Sequence, residues 1–403
     1  MDIVKQPLEY IENRPLFGLV YDWNLICKIY LSLDCPEEAY NPTRTIKEGT
    51  KENVKIYVGM SKRKTGKTTN WLLIGLIMYY LYGTMTVYMR QTEDMIAPKN
   101  TGDMYDTIIQ YGYIEKITNG EFDYIKYSSR FWYLCKRENG EIKYQSEIAC
   151  TFMCCVQKYL DTKSGIQLPF ADLIIYDEFL SDIYYPDEFV HVQQLISSIK
   201  RFRRSAIVVW LANQIDLYSI YFNELCIADD VQKMPVGGRA IITTEMGTKI
   251  YVERIEQSES VKRIDEIDVL LYYGFKNPKL ASITGDNWAT KNYQHIPDGD
   301  FDILFPNIYI RYNNKYVRMD IVRHEKFGIA CFCHWASKTW PDSIILTTDD
   351  RTDTRYMYMH GHRNVDNLLH RLASDNRIYY ATNDVGLFVE SYYNYIRKMR
   401  VTI

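Results

Sequence analysis

From Val54 to Gly83 the chain reads VKIYVGM, then SKRKTGKT, then TNWLLIGLIMYYLYG. The first run is short, β-branched and aromatic, as buried strands are. The last is too long for a strand and apolar almost throughout, as a buried helix is. A strand that passes through a tight loop directly into such a helix has few options. The helix packs back across the sheet, and the next run, TMTVYM (84–89), lies parallel to the first. Two further runs, DLIIYDEF (172–179) and AIVVWLAN (206–213), read as buried strands of the same sheet. This predicts an α/β fold with a largely parallel sheet and helices on both faces.

The loop itself carries chemistry. SKRKTGKT (61–68) lies between strand and helix, where backbone N–H groups and the helix N-terminus can surround phosphates. Ser61, Arg63, Lys64, Thr65, Gly66, Lys67, Thr68 and Thr69 are the candidate ATP-binding residues. Lys67 would neutralise the phosphates, and the Thr68 hydroxyl would reach Mg²⁺. Ser61 stands where a glycine is usual. LIIYDEF (173–179) is an apolar run ending in two acids, the Walker B pattern. Asp177 would hold Mg²⁺ and Glu178 would polarise the attacking water, at the strand end where open α/β sheets bind ligands. Together these predict a P-loop NTPase of the additional-strand, catalytic-glutamate class, with ATP and Mg²⁺ as its ligands. Asn213, at the tip of the next strand, is either a γ-phosphate sensor or a turn residue. KRFRR (200–204), just before that strand, is either a solvated helix end or the source of an arginine finger.

The remainder organises around this core. Two alternating runs flank Asn139-Gly140 within 130–152, which predicts a hairpin because both turn positions need positive φ. After Met234 the texture changes, with PVGG (235–238), a charged helical pattern over 251–276, and a stretch rich in Pro, Gly, Asn and Asp over 277–300. The domains predicted are 1–235 for the ATPase, 236–300 for a linker or connecting subdomain, and 301–403 for a smaller α+β or α/β domain. Strand-like runs IYIRY, KYVRMDIVRH and GIACFCHWA open the last, and helical patterns at DNLLHRLAS and FVESYYNYIRKMR close it. Strand alternation places Cys331 and Cys333 on one face and His334 on the other, which favours buried thiols over a zinc site.

Charge is uneven. The whole chain of 403 residues carries −3, while 301–403 holds 14 Lys and Arg against 11 Asp and Glu. A mildly basic C-terminal region suits phosphate contacts or merely solvated helix ends. Lys99 and Lys163 sit in loops after core strands, where a sheet has no use for lysine, and are the candidate DNA contacts. No apolar run approaches a membrane span. The nine cysteines, with no export signal upstream, are expected to be reduced.

At this point the order of parts resembles the phi29-like bacteriophage DNA-packaging ATPases, the compact large-terminase-like motors of small tailed phages. The residues that carry the resemblance are the GKT loop, the YMR strand end at Arg90, TKSG before LIIYDEF, and the arginine run before WLAN. LTTDD (346–350), LHRLAS (369–374) and YIRKMR (395–400) continue it. Relative to the shortest members, residues 1–50 are the added stretch. The resemblance implies a homomeric, pentameric ring at the portal (connector) of a preformed procapsid in the host cytoplasm, translocating double-stranded DNA. A structural packaging RNA serves some members. It implies that Arg201, from the neighbouring subunit, is the catalytic arginine. The C-terminal domain is expected to be RNase H-like and derived from a nuclease. Its first strand carries Arg311 and Asn313 where metal-binding carboxylates are needed, with Asp320, Asp349, Asp350 and Asp353 scattered elsewhere, so nuclease activity is not expected. Competing readings are another P-loop translocase or helicase, a P-loop kinase, and a nonenzymatic nucleic-acid-binding capsid protein.

Overall fold

The computed structural model describes residues 19–157, 168, 171–180, 188–201, 203–213, 219–268, 271, 293–296, 299–312, 315–326, 328–347, 356–357 and 363–399. The chain divides into two compact units. The first takes residues up to 286 except 181–186 and 216–224, and the second takes those two segments and 287–403.

The first unit is built on a ten-stranded sheet. Its strands are β1 (Ile56–Met60), β2 (Met85–Arg90), β3 (Tyr124–Ser128), β4 (Phe131–Glu138), β5 (Glu141–Gln145), β6 (Thr151–Cys155), β7 (Ala171–Asp177), β8 (Ile207–Ala212), β9 (Arg239–Thr243) and β10 (Lys249–Arg254). Six run parallel in the order β6-β2-β7-β8-β1-β10. Every residue of β6, β7 and β8 is buried, which explains why these runs are apolar but for Thr151, Asp172 and Asp177. β8 lies between β7 and β1, so the strand ending in the Asp-Glu pair is separated from the strand leading into the GKT loop. The β4–β5 hairpin turns at Asn139 and Gly140 with φ of 55° and 84°, as the Asn-Gly signal requires. Cys150 and its neighbours do not prolong that hairpin: 151–155 pairs in parallel with β2.

Five of the first unit's helices matter to the site or its surroundings. These are α1 (Trp23–Leu31), α2 (Thr43–Lys51), α3 (Lys67–Tyr82), α4 (Glu188–Lys200) and α5 (Glu259–Asp268). α3 starts after Gly66 and stops at Gly83, both left-handed, as glycine allows at little cost. It buries side chains on all sides, from Trp71 and Leu72 to Met78 and Leu81. Its cluster includes Ile26, Ile29 and Tyr30 of α1, so part of the predicted 1–50 addition belongs to the core.

The expected linker over 236–300 is corrected over much of its length. β10 pairs in parallel with β1, Val58 opposite Val252, and β9 completes an antiparallel edge. Charged residues at both ends of KIYVER masked a strand whose Ile250, Tyr251 and Val252 are buried. The helical pattern begins only at Glu259.

The second unit holds a six-stranded sheet: β11 (Phe301–Tyr312), β12 (Lys315–His324), β13 (Gly328–Ala336), β14 (Ile344–Thr347), β15 (Tyr356–Met357) and β16 (Ile378–Tyr380). Their order is β15-β14-β11-β12-β13-β16. β11, β12 and β13 form an antiparallel meander, and β14 runs parallel to β11. Helices α6 (Arg363–Ser374) and α7 (Asn383–Met399) contribute Leu369, Phe388 and Tyr392 to a core with Ile310, Met319, Cys331 and Cys333. The two cysteines share a face, their sulfurs 3.8 Å apart as free thiols. Among the described residues no group of His, Cys, Asp and Glu could hold a metal ion, and no helix is long and apolar enough to cross a membrane.

Candidate active site

The GKT loop leaves β1 at Met60 and is closed by its own side chains. Ser61, fully buried, donates its hydroxyl to the Lys62 carbonyl (2.7 Å) and pairs with the Thr65 hydroxyl (2.8 Å). Its N–H donates to the Ala212 carbonyl at the end of β8 (3.1 Å). The serine that replaces a glycine therefore staples the loop. Lys64, at φ 63°, turns to Asp265 of α5 (3.0 Å). Gln257 bridges the same carboxylate (2.9 Å) and the Arg63 carbonyl (3.0 Å). From the other side, the Tyr40 N–H donates to the Thr65 carbonyl (2.8 Å), and Tyr30 holds Asn70, which caps the Gly66 carbonyl (2.9 Å). Ser61 and Thr65 thus spend their hydroxyls on each other, Lys64 turns its ammonium to α5, and the Ser61 N–H is held by β8. Arg63 is exposed and Thr69 half-buried.

Lys67 is almost wholly buried at the head of α3, and its ammonium donates to the Asn213 side-chain carbonyl. Burial pushes its pKa down to about 8, while the nearby Asp177 and Glu178 carboxylates hold it up. Thr68 donates to Asp177 (3.0 Å), and so does Tyr88 of β2 (2.8 Å). Arg90, the last residue of β2, reaches Asp177 (3.3 Å), pairs with Glu178, and donates from Nε to the Tyr88 hydroxyl (2.8 Å). The two carboxylates and Tyr88 raise the Arg90 pKa in spite of its burial. Asn213 donates its amide to the other Glu178 oxygen (2.8 Å). A closed circuit runs Lys67, Asn213, Glu178, Arg90, Asp177, Thr68. Glu178 sits in it at φ 53°, a left-handed conformation costly for a side chain this large, and stays more than one-third exposed.

The predicted residues do not all meet. Lys67, Thr68, Asp177, Glu178 and Asn213 converge at the C-terminal edge of β1, β7 and β8. Arg201 does not join them. It ends α4, exposed, at φ 48°. It precedes β8, whereas Asn213 follows it, so roughly 20 Å of six-residue strand separates the two. Arg203 is a different object. It is buried, ion-paired with Asp172 (2.8 Å), and donates to the carbonyls of Leu168, Ala171 and Ile199. Tyr21 and Ser205 complete the shell of Asp172. Lys99 is exposed and paired with Asp94 (2.7 Å). Lys163 lies outside the described residues, as do Asp349, Asp350 and Asp353.

Sequence reasoning did not find the role of Arg90, Tyr88, Tyr40 or Asp265. For Arg90 a signal exists: a cation ending a buried strand that neighbours the acidic strand has its head among those acids.

In the second unit, Asp320 is engaged on both oxygens, by Arg318 (2.6 Å) and by His334 (2.9 Å). Arg311, on the first strand, is buried and lies over the Tyr316 ring at 5.9 Å.

No protein-family model matches the chain, and no curated protein does. Solved structures do match its fold. The Phi-28 gp11 DNA packaging motor is 17% identical with a TM-score of 0.53, over 89% of this chain and 98% of that one. A chain of the bacteriophage Phi-29 viral genome packaging motor assembly is 13% identical with a TM-score of 0.54, over 90% and 100%. At identity this low the match shows a shared fold and nothing finer.

Proposed function

We propose that the chain is an ATP-hydrolysing motor that drives double-stranded DNA through the portal into a preformed capsid. The observation that carries it is the convergence of Lys67, Thr68, Asp177 and Glu178 at one sheet edge, in a chain with the fold of packaging motors.

The donor set fits Mg²⁺ and ATP. A threonine hydroxyl and an aspartate carboxylate 3.0 Å apart are the hard oxygen ligands Mg²⁺ takes, next to a buried ammonium and a left-handed Gly66. Bound together, ATP and Mg²⁺ would supply the electrophilic phosphoryl group and the charge that balances its oxygens. The chain's own residues do the remainder. Lys67 leaves Asn213 for phosphate oxygens, which relieves the cost of its burial. Asp177 and Thr68 would hold the metal. Glu178, released from Arg90 and Asn213, takes the proton of the attacking water. β8 lying between β7 and β1 supports the additional-strand, catalytic-glutamate class.

Arg201 is too far from its own phosphate loop to act there. Exposed at the opposite edge of the sheet, it suits a head-to-tail ring, pentameric by the family resemblance, in which it enters the neighbour's site. The second unit's meander, continued by a strand parallel to its first, supports the RNase H-like reading. The use of both Asp320 oxygens by Arg318 and His334 supports an inactive nuclease. The motor would act on the procapsid portal in the host cytoplasm, with Lys99 and Lys163 as phosphate contacts. The test is the ATPase rate with and without double-stranded DNA. Stimulation by duplex is expected; hydrolysis indifferent to DNA would sink the motor reading, and transfer of phosphate to a small acceptor would favour a kinase.

A further inference from the structure

At the N-terminal edge of the first unit's sheet, away from the carboxylate circuit, lies a cavity of about 600 Å³. It opens where β1 and β8 begin, where α4 ends, and at the β9–β10 turn. Its lining is unbalanced. Lys55, Lys200, Arg204 and Lys249 contribute four cations, and the one acid among the lining residues, Glu52, is paired with Lys249 (2.7 Å). Lys55 is exposed, yet partial desolvation pushes its ammonium down and the neighbouring Lys200 adds to it, against Asp172, which is engaged with Arg203. Cations that repel one another in a concavity gain from an anion between them. The floor is apolar, with Ile56, Ile196 and Val208. The volume lies within the roughly 300–1,000 Å³ of small-molecule sites.

We propose that this cavity is a second ligand site, distinct from the phosphate loop, for a small phosphate-bearing molecule with a flat apolar part, that is, a nucleotide. The cationic rim takes the phosphates and the aliphatic floor takes the base. Simple inorganic anions share the first contact and lack the second, so tripolyphosphate should bind more weakly than a nucleoside triphosphate. Arg201 lies beside Lys200, at the end of the same helix. An occupied cavity would therefore stand next to the residue proposed to act on a neighbouring subunit.

The experiment counts sites on the full chain by calorimetry at low salt, with ATP and with tripolyphosphate as probes. Two ATP equivalents per chain are expected. Lys55→Glu with Lys200→Glu should weaken one of them at least ~10-fold, the loss of a single charge-assisted contact or more, and leave the other. Lys67→Ala should do the reverse, so loss at the phosphate loop and loss at the cavity read separately. Should the Glu pair fail to fold, Lys55→Gln with Lys200→Gln removes the charge more gently and must show the same selective loss. One ATP equivalent in the wild type, abolished by Lys67→Ala, overturns the proposal. So do two equivalents untouched by the cavity variants. If those variants lose a 20-base-pair duplex but no nucleotide, the surface holds a nucleic-acid backbone and the small-ligand proposal fails.

Discussion

Asp177 in the first unit and Asp320 in the second are both buried aspartates whose side chains are 3% exposed. Both touch an arginine. Their positions in their strands separate them. Asp177 is the last residue of β7, so the chain beyond it is loop, and Glu178, a helix head and the tip of β8 gather around it. Asp320 is in the middle of β12, opposite Phe332 of β13, and its partners Arg318 and His334 project from the same ladder. A carboxylate at a strand end has neighbours that a ligand can displace. One held inside a ladder has neighbours fixed by the sheet.

The comparison can be broken most sharply at the arginines. Arg201→Ala should bind ATP normally and lose ~10³-fold or more in turnover, since a finger acts on charge that develops only in the transition state. Mixed with the Lys67→Ala protein it should regain activity, and co-assembled mixtures that stay inactive would exclude a shared site. Arg203→Ala, two residues along, should behave as a folding variant. Leaving Asp172 buried without its partner costs roughly 3–5 kcal/mol, visible in denaturant unfolding.

Glu178→Gln removes a base and keeps the shape. Turnover at least ~100-fold slower, with ATP still bound, is expected; a wild-type rate would assign the base elsewhere. For Asp320→Asn the contrast predicts a change of stability alone, about 1–3 kcal/mol by urea unfolding. ATP turnover should not move, and plasmid incubated with the chain and Mn²⁺ should stay intact. Metal-dependent nicking that this substitution abolishes would reverse the reading of β12.

The smallest effect concerns pH. Lys67 must be charged to meet phosphates, and its pKa is near 8 in the folded chain. ATP affinity should fall as pH rises through about 8, and Lys67→Arg, charged throughout, should flatten that profile. The stability term has the opposite slope. The unfolded chain holds this proton more tightly, so between about 8 and 10.5 rising pH favours folding. A flat affinity profile in the native protein would show the ammonium to be less shielded than described.

Much of this was legible in the sequence because local pattern and global role coincide in β1, α3, β7 and β8: each carries an apolar run that the fold buries. β9 and β10 were hidden. Lys249, Glu253 and Arg254 break the apolar run, and only the sheet edge and the packing of Glu253 against Tyr40 and Thr45 explain them. The KRFRR run was readable as arginines and not as roles. Nothing in spacing tells Arg203, turned inward onto Asp172, from Arg201, turned outward. Arg90 likewise depends on β2 lying beside β7, a fact of strand order absent from any local window.

Helix α3 can be regarded as a machine part. Gly75 passes so close to β2 that an added methyl carbon would stand 2.2 Å from the Thr86 hydroxyl oxygen. A rod clamped on every side, with less than an atom's clearance to its bed, has no slack in which to tilt. The Gly66–Thr68 seat at its head is thus a fixed bearing. Any stroke that the proposed nucleotide would drive must then be taken up by parts that have clearance, namely the strand tips and the helices with an open face.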